Sequence, residues 1–202
     1  MMLWQSNTPL VLASRSAVRR SLLESAGLPV VVDAADIDER AVESRDGPLA
    51  PADTALLLAR EKAKAVTGRW PGHIVIGADQ TLALGETRFD KPADLAAARE
   101  QLRALGGRTH ELHAAVALAK DGRVIHSHVD TARLTLRRLT DRFLDAYLET
   151  AGDAVLASVG GYQLERVGIH LFERIEGDHF TILGLPLLPL LGFLRREGHL
   201  AA

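Results

Sequence analysis

The chain has 202 residues, 47% of them hydrophobic and 25% charged, with a formal net charge of −2 and no cysteine. That length can bury a substantial core in one globular domain over residues 1–202, while the near-zero charge argues against a general nucleic-acid binder or a protein drawn to membrane surfaces. The missing cysteines exclude disulfides, thiolate chemistry and zinc–thiolate sites, and no basic-then-apolar signal pattern opens the chain, so a cytoplasmic location is expected.

The first apolar run predicts a strand over Leu10–Ala13, followed by a helix over Arg19–Ala26 that stops at Gly27. Between them, Ser14-Arg15-Ser16 and then Arg19-Arg20 place hydroxyls and guanidinium groups at a helix N-terminus. The unpaired N–H groups and the dipole of such an end attract anions, and Ser and Arg extend it into a phosphate cradle. The ordinary alternative is a Ser N-cap with solvated arginines. Val30–Val32 is strand-like. Asp36-Ile37-Asp38-Glu39-Arg40 and the Gly47-Pro48 region read as a polar loop, whose three carboxylates are either a solvated acidic run or an oxygen-rich site suited to Mg²⁺ or Mn²⁺.

Apolar residues at helical spacing predict a helix over Pro51–Val66, on which nothing local distinguishes Lys62 from its neighbour Lys64. Ile74–Ile76 reads as a buried strand, with Gly77-Ala78-Asp79-Gln80-Thr81 just beyond its carboxyl end, where open α/β sheets place ligands. Leu82–Leu84 with Gly85-Glu86 starts a hairpin. Pro92 takes Lys91 out of the helical region and opens a helix running through Asp94–Leu105 to Gly106-Gly107, which sets a cation beside a helix N-terminus.

Glu111–Ala119 and Val124–Leu136 flank Asp121-Gly122, a hairpin signal. Thr140–Leu148 follows as a helix capped by Thr140, and Gly160-Gly161 marks a loop. Ile182–Leu194 is too short to cross a bilayer and reads as a buried strand end followed by a closing helix, Pro186–Arg196. His110, His113, His126 and His128 lack carboxylates at metal-binding spacing and read as strand-packing or surface residues. Strands and helices interleave around a long central hairpin, so the class is α/β with a mixed sheet. The phosphate loop, the dinucleotide-binding glycine turn, the H-E-x-x-H helix and the nucleophile elbow are all absent.

These segments together resemble the Maf family of nucleotide pyrophosphatases along nearly the whole chain. Leu12-Ala13-Ser14-Arg15-Ser16-x-x-Arg19 is similar to its N-terminal signature, Asp36-Ile37-Asp38-Glu39 to its acidic loop and Leu58–Ala65 to its lysine helix. Ile76-Gly77-Ala78-Asp79 resembles the strand end that carries its catalytic Asp, and Lys91-Pro92 its second lysine. Gly161–Glu165, Glu176-Gly177-Asp178 and Gly184-Leu185-Pro186-Leu187 match its later blocks. Three positions depart from the pattern: Ala17 stands for Pro, Val18 for Arg or Trp, and Arg166 for Gly.

The resemblance implies a mixed twisted sheet flanked by helices, with two lobes around a central cleft as in inosine triphosphatases, often in a homodimer. It implies hydrolysis of nucleoside triphosphates to monophosphate and pyrophosphate with Mg²⁺ or Mn²⁺. Its proposed uses are removal of non-standard nucleotides and restraint of septum formation. On this reading Asp79 is the general base or metal-bound activator of water, and Glu39 and Asp79 hold the metal. Ser14, Arg19, Lys62 and Lys91 hold the triphosphate. Val18, Gln80 and Glu165 fall where the family selects the base, and Gln80 and Glu165 resemble the subgroup acting on 7-methyl-GTP. The competing expectations are a dTTP/UTP-directed or broad pyrophosphatase, and a nucleotide-binding regulator of septation with little turnover.

Overall fold

The computed structural model describes residues 3–201. Its centre is a seven-stranded mixed sheet. β1 (Leu10–Leu12) lies in parallel between β2 (Val30–Val32) and β3 (Val75–Leu84). Beyond β3 come β5 (Thr109–Lys120), β6 (Arg123–Leu136) and β7 (Phe172–Glu176), each antiparallel to the strand before it. The tight turn joining β5 to β6 is Asp121-Gly122, both at positive φ, as the sequence predicts.

β3 organises the molecule. One of its edges is paired with β5 from Val75 to Ala83. The other edge pairs with β1 only at Val75 and Ile76, and with β4 (Thr87–Phe89) only from Leu82 to Leu84. The sheet therefore forks: Gly77–Thr81 have no strand on that side, and a cleft opens there. The sequence places Asp79 past a strand end, whereas β3 runs through it unbroken. Gly-Ala-Asp-Gln-Thr has weak intrinsic strand preference, and the unbroken ladder to β5 overrides it.

The faces of the sheet are covered separately. On one face, α1 (Ala17–Ser25) and α7 (Leu187–Arg196) pack on β1 and the first half of β3 through Leu10, Leu12, Leu23, Ile76, Leu190 and Leu194. A second core joins α4 (Leu95–Leu105) and α5 (Asp141–Ala151) to Leu82, Leu112 and Leu134. The cleft has these two cores on either side, which gives the two lobes expected.

On the opposite face α3 (Pro51–Thr67) lies against β3 and β5 through a seam of small residues, Ala55, Ala59 and Ala63 on Ala115, Ala117 and Ala119. Gly77 completes the seam. A Cβ there would come within 2.0 Å of the Ala59 carbonyl oxygen and 2.6 Å of the Ala63 nitrogen, so the helix rests directly on the strand backbone.

Four local expectations are corrected. Glu39–Asp46 is a helix, α2, not a loop; Asp38 caps it by accepting from the Ala41 N–H at 3.0 Å. It buries no residue, so apolar periodicity carried no trace of it. Pro92 is buried but opens no helix, because Asp94 is the N-cap of α4 and Lys91 lies three residues ahead of that cap. Ile182 belongs to a short helix, α6 (His179–Ile182), capped by Asp178, rather than to a strand end. The edge strand β7 has no counterpart in the sequence reading, and Gly160-Gly161 lie in the second of three short 3-10 segments, Gly152–Ala157, Val159–Gly161 and Val167–Leu171.

The histidines pack on strands. His126 stacks on Phe193 with centroids 4.5 Å apart, His128 meets Asp130 Oδ1 at 2.9 Å, and His113 meets Thr131 Oγ1 at 2.9 Å. His110 is fully buried with its Nε2 2.6 Å from the Tyr162 hydroxyl. Burial lowers its pKa to about 4. Below the ordinary value near 6.5 the unfolded chain takes up this proton and the folded one does not. The stability it confers is therefore present above about pH 6.5 and lost as the pH falls to about 4, by roughly 3 kcal/mol. His110→Gln is expected to flatten that part of the melting temperature–pH curve. Parallel curves for the variant and the native chain would assign the acid sensitivity elsewhere.

Candidate active site

The cleft at the fork of β3 encloses about 870 Å³. Ser14, Val18, Arg19, Glu39, Lys62, Asp79, Gln80, Lys91 and Glu165 all line it. Successive strand residues point to opposite faces, yet Asp79 and Gln80 both border this cleft, because it enters along the open edge between them.

At its floor an ammonium joins two carboxylates. Lys62 Nζ lies 2.6 Å from Asp79 Oδ1 and 2.7 Å from Glu39 Oε1. The helix-to-backbone contact at Gly77 brings Lys62 this close, since it stands between Ala59 and Ala63 on α3. In sequence Lys62 looks like a solvated helical lysine, but its side chain is only 13% exposed. Burial raises the Asp79 pKa above the usual carboxylate range; Lys62 and Arg19 pull it back down, and the Glu39 charge adds to the rise. Oδ1 is occupied by Lys62, and Oδ2 carries no hydrogen bond among the described residues.

Arg19 ties the cleft walls together. Its Nε donates to the Gly184 carbonyl at 2.8 Å, and its Nη1 to the Ala78 carbonyl at 2.8 Å and the Ser14 hydroxyl at 3.4 Å. Ala78 lies on the open edge of β3, so this guanidinium takes the place of a neighbouring strand. Burial lowers its pKa, opposed by the charges of Asp79 and Glu39. Only Nη2 lacks a hydrogen bond among the described residues, so Arg19 is first a brace. Gly184 sits at φ +88, in the left-handed region that suits glycine. Ser16 is an ordinary N-cap, accepting from the Arg19 N–H at 3.3 Å, and Ser14 Oγ accepts from the Ser16 N–H at 3.2 Å.

The side chains expected to choose a base differ in freedom. Gln80 Nε2 donates to the Thr181 and Ile182 carbonyls at 3.1 and 3.0 Å; its donors hold α6, and only its amide oxygen is left for a ligand. Glu165 is exposed to the cleft with no ion pair among the described residues, as is Lys91. Val18 offers an apolar patch. Arg166 is exposed and does not line the cleft. Arg15, one of the arginines of the expected phosphate cradle, also lines the cleft, exposed and unpaired among the described residues, whereas Arg88 and Glu43, which pair at 2.7 Å, carry no role in the sequence reading. Only the position of Arg88 in a hairpin arm beside Lys91 hints at it.

The donor set also bears on a metal. Among the described residues no three His, Cys, Asp or Glu side chains are grouped to hold an ion. Glu39 and Asp79 already face one cation together. Two carboxylates fit Mg²⁺ or Mn²⁺, hard ions that commonly take one or two protein carboxylates and complete their shell with water and substrate phosphates. They do not make a closed protein cage. No helix among the described residues is long and apolar enough to cross a membrane.

The family model described as Maf-like protein matches residues 9–197. The chain is 60% identical over 195 residues to a nucleoside triphosphate pyrophosphatase of Bradyrhizobium diazoefficiens, covering 96% of each. It is 55% identical to a protein of that name from Rhodopseudomonas palustris over the full length of both. It is 52% identical to a 7-methyl-GTP pyrophosphatase of Brucella abortus, covering 93% of this chain and 96% of that one. Among solved structures it is similar to a nucleoside-triphosphatase / dITP/XTP pyrophosphatase of Mycobacterium abscessus, at 17% identity over 95% of each chain and a TM-score of 0.41.

Proposed function

The chain belongs to the family of Maf-like proteins, and from that premise we propose that it is a nucleoside triphosphate pyrophosphatase, hydrolysing the bond between the α- and β-phosphates at Asp79. The observation that carries the reading is the Glu39–Lys62–Asp79 chain of contacts on the floor of a cleft bordered by further cations.

Water attacks the α-phosphorus, the bond to the β-phosphate oxygen breaks, and monophosphate and pyrophosphate leave. Asp79 takes the water's proton on Oδ2, the oxygen that Lys62 leaves open. Ser14, Lys62 and Lys91 hold the phosphates, with Nη2 of Arg19 completing the set. Each charged contact contributes about 1.5–3 kcal/mol. A Mg²⁺ or Mn²⁺ ion held by Glu39 and Asp79 would neutralise charge developing on the phosphates.

For the base we propose a preference for 7-methyl-GTP, supported by the name of the Brucella relative and by Glu165. Its carboxylate would accept from the guanine N1–H and exocyclic amine and would face the O2 and O4 acceptors of uracil badly. Because the Gln80 donors are held by α6, Glu165 takes the larger part in this choice. Glu165→Gln is expected to lower the ratio of 7-methyl-GTP to UTP turnover about 10-fold. An unchanged ratio would remove Glu165 from base selection.

The deciding experiment is product analysis with Mg²⁺ or Mn²⁺ against 7-methyl-GTP, GTP, dTTP, UTP, CTP and ITP. Monophosphate with pyrophosphate is the expected pair, and the ranking names the substrate. Diphosphate with phosphate would place the cut elsewhere, and binding without turnover would favour a nucleotide-binding regulator.

A further inference from the structure

α2 presents two carboxylates one helical turn apart, and both are paired with cations that line the cleft. Glu39 meets Lys62, and Glu43 Oε2 meets Arg88 Nη2 at 2.7 Å. Arg88 stands on β4, the far prong of the fork, three residues before Lys91, so one segment brings two cations to the same cleft. Its charge interacts with that of Asp79. Arg88 and Glu43 also wall a smaller cavity of about 170 Å³ between the turn at Gly47 and Pro48 and the β3–β4 turn at Glu86. A second acid, Asp90, lies 3.9 Å from Arg88 and is 80% exposed.

Two properties make this pair exchangeable. Both side chains are about one-third exposed, and partly hydrated ion pairs contribute little. α2 has no buried residue to hold Glu43 in place. The guanidinium, in turn, matches phosphate oxygens in a two-pronged geometry that an ammonium lacks.

We propose that Arg88 is a binding residue for the two terminal phosphates: it leaves Glu43 for the β- and γ-phosphate oxygens and afterwards holds the departing pyrophosphate. This rests on the pyrophosphatase reading of the cleft. Glu43 is its resting partner, which keeps the guanidinium extended toward the cleft when no phosphate is bound.

Calorimetric titration of the whole chain with inorganic pyrophosphate at fixed Mg²⁺ tests this without requiring turnover. Arg88→Ala is expected to weaken pyrophosphate binding about 10-fold or more, with the affinity for the nucleoside monophosphate product unchanged. Arg88→Lys should fall between, keeping the charge and losing the fork. Glu43→Gln, which breaks the same pair from the other side, should bind pyrophosphate at least as tightly as the native chain. The proposal is overturned if Arg88→Ala binds within about twofold of native, if Glu43→Gln weakens binding as much as Arg88→Ala does, or if the native chain does not bind pyrophosphate. The activity reading fails separately, by product analysis, whichever way the titration turns out.

Discussion

Asp79→Asn is expected to reduce turnover by more than about 100-fold, close to 3 kcal/mol of transition-state stabilisation, while leaving the melting temperature within a few degrees of native. The shape is kept, and the amide oxygen still accepts from Lys62 Nζ, which retains Glu39 as its charged partner. What is lost is the proton acceptor. Stability should change little because two effects oppose each other: removing the buried charge relieves the desolvation that raises the Asp79 pKa, and it also forfeits the attraction of Lys62 and Arg19. Near-native turnover of the variant would take Asp79 out of the mechanism. A collapse of the melting temperature would show that the carboxylate supports the fold.

Gly77→Ala is expected to be the most damaging single methyl in the chain. The added carbon would meet backbone atoms of Ala59 and Ala63, not movable side-chain ends. α3 must therefore lift off β3, opening the alanine seam against β5 as well. Overpacking against backbone costs about 3 kcal/mol, and the same lift carries Lys62 away from Asp79. Both unfolding midpoint and turnover should fall. Gly68→Ala is the control, because nothing lies within 4 Å of the corresponding carbon and its backbone is helical; it should be neutral or slightly stabilising. Equal behaviour of the two variants in denaturant would refute the close-contact account.

The sequence reveals what local chemistry dictates and misses what distant parts impose. The helices over Pro51–Thr67, Leu95–Leu105 and Leu187–Arg196 announce themselves by apolar spacing and caps, and the β5–β6 hairpin by its turn residues. α2 does not, because it buries nothing. The continuity of β3 through Gly77–Thr81 does not either, because it depends on β5, more than thirty residues further along the chain. In the site, Ser14, Glu39, Asp79 and Lys91 stand out in sequence as polar residues in predicted loops or at predicted element ends. Lys62 and Arg88 do not: each gains its meaning only from a carboxylate brought to it by another element. Arg19 stands out in sequence as an anion ligand, and the fold uses most of its guanidinium to hold backbone carbonyls.

The fork in β3 has a mechanical consequence. Both hydrophobic cores grip the same continuous strands, β3 and β5, so the lobes cannot swing like two plates on a flexible joint. To narrow the opening that way would bend a fully hydrogen-bonded ladder. The width of the opening at its floor is therefore set by the sheet. Adjustment to an arriving nucleotide would fall to parts that cross no ladder: α2, held at its rim by charge pairs, and the turn at residues 164–166 that carries Glu165. On the proposed reading, a rigid frame with yielding edges would keep the distance from Asp79 to an α-phosphate constant across substrates and let the far ends of those substrates differ.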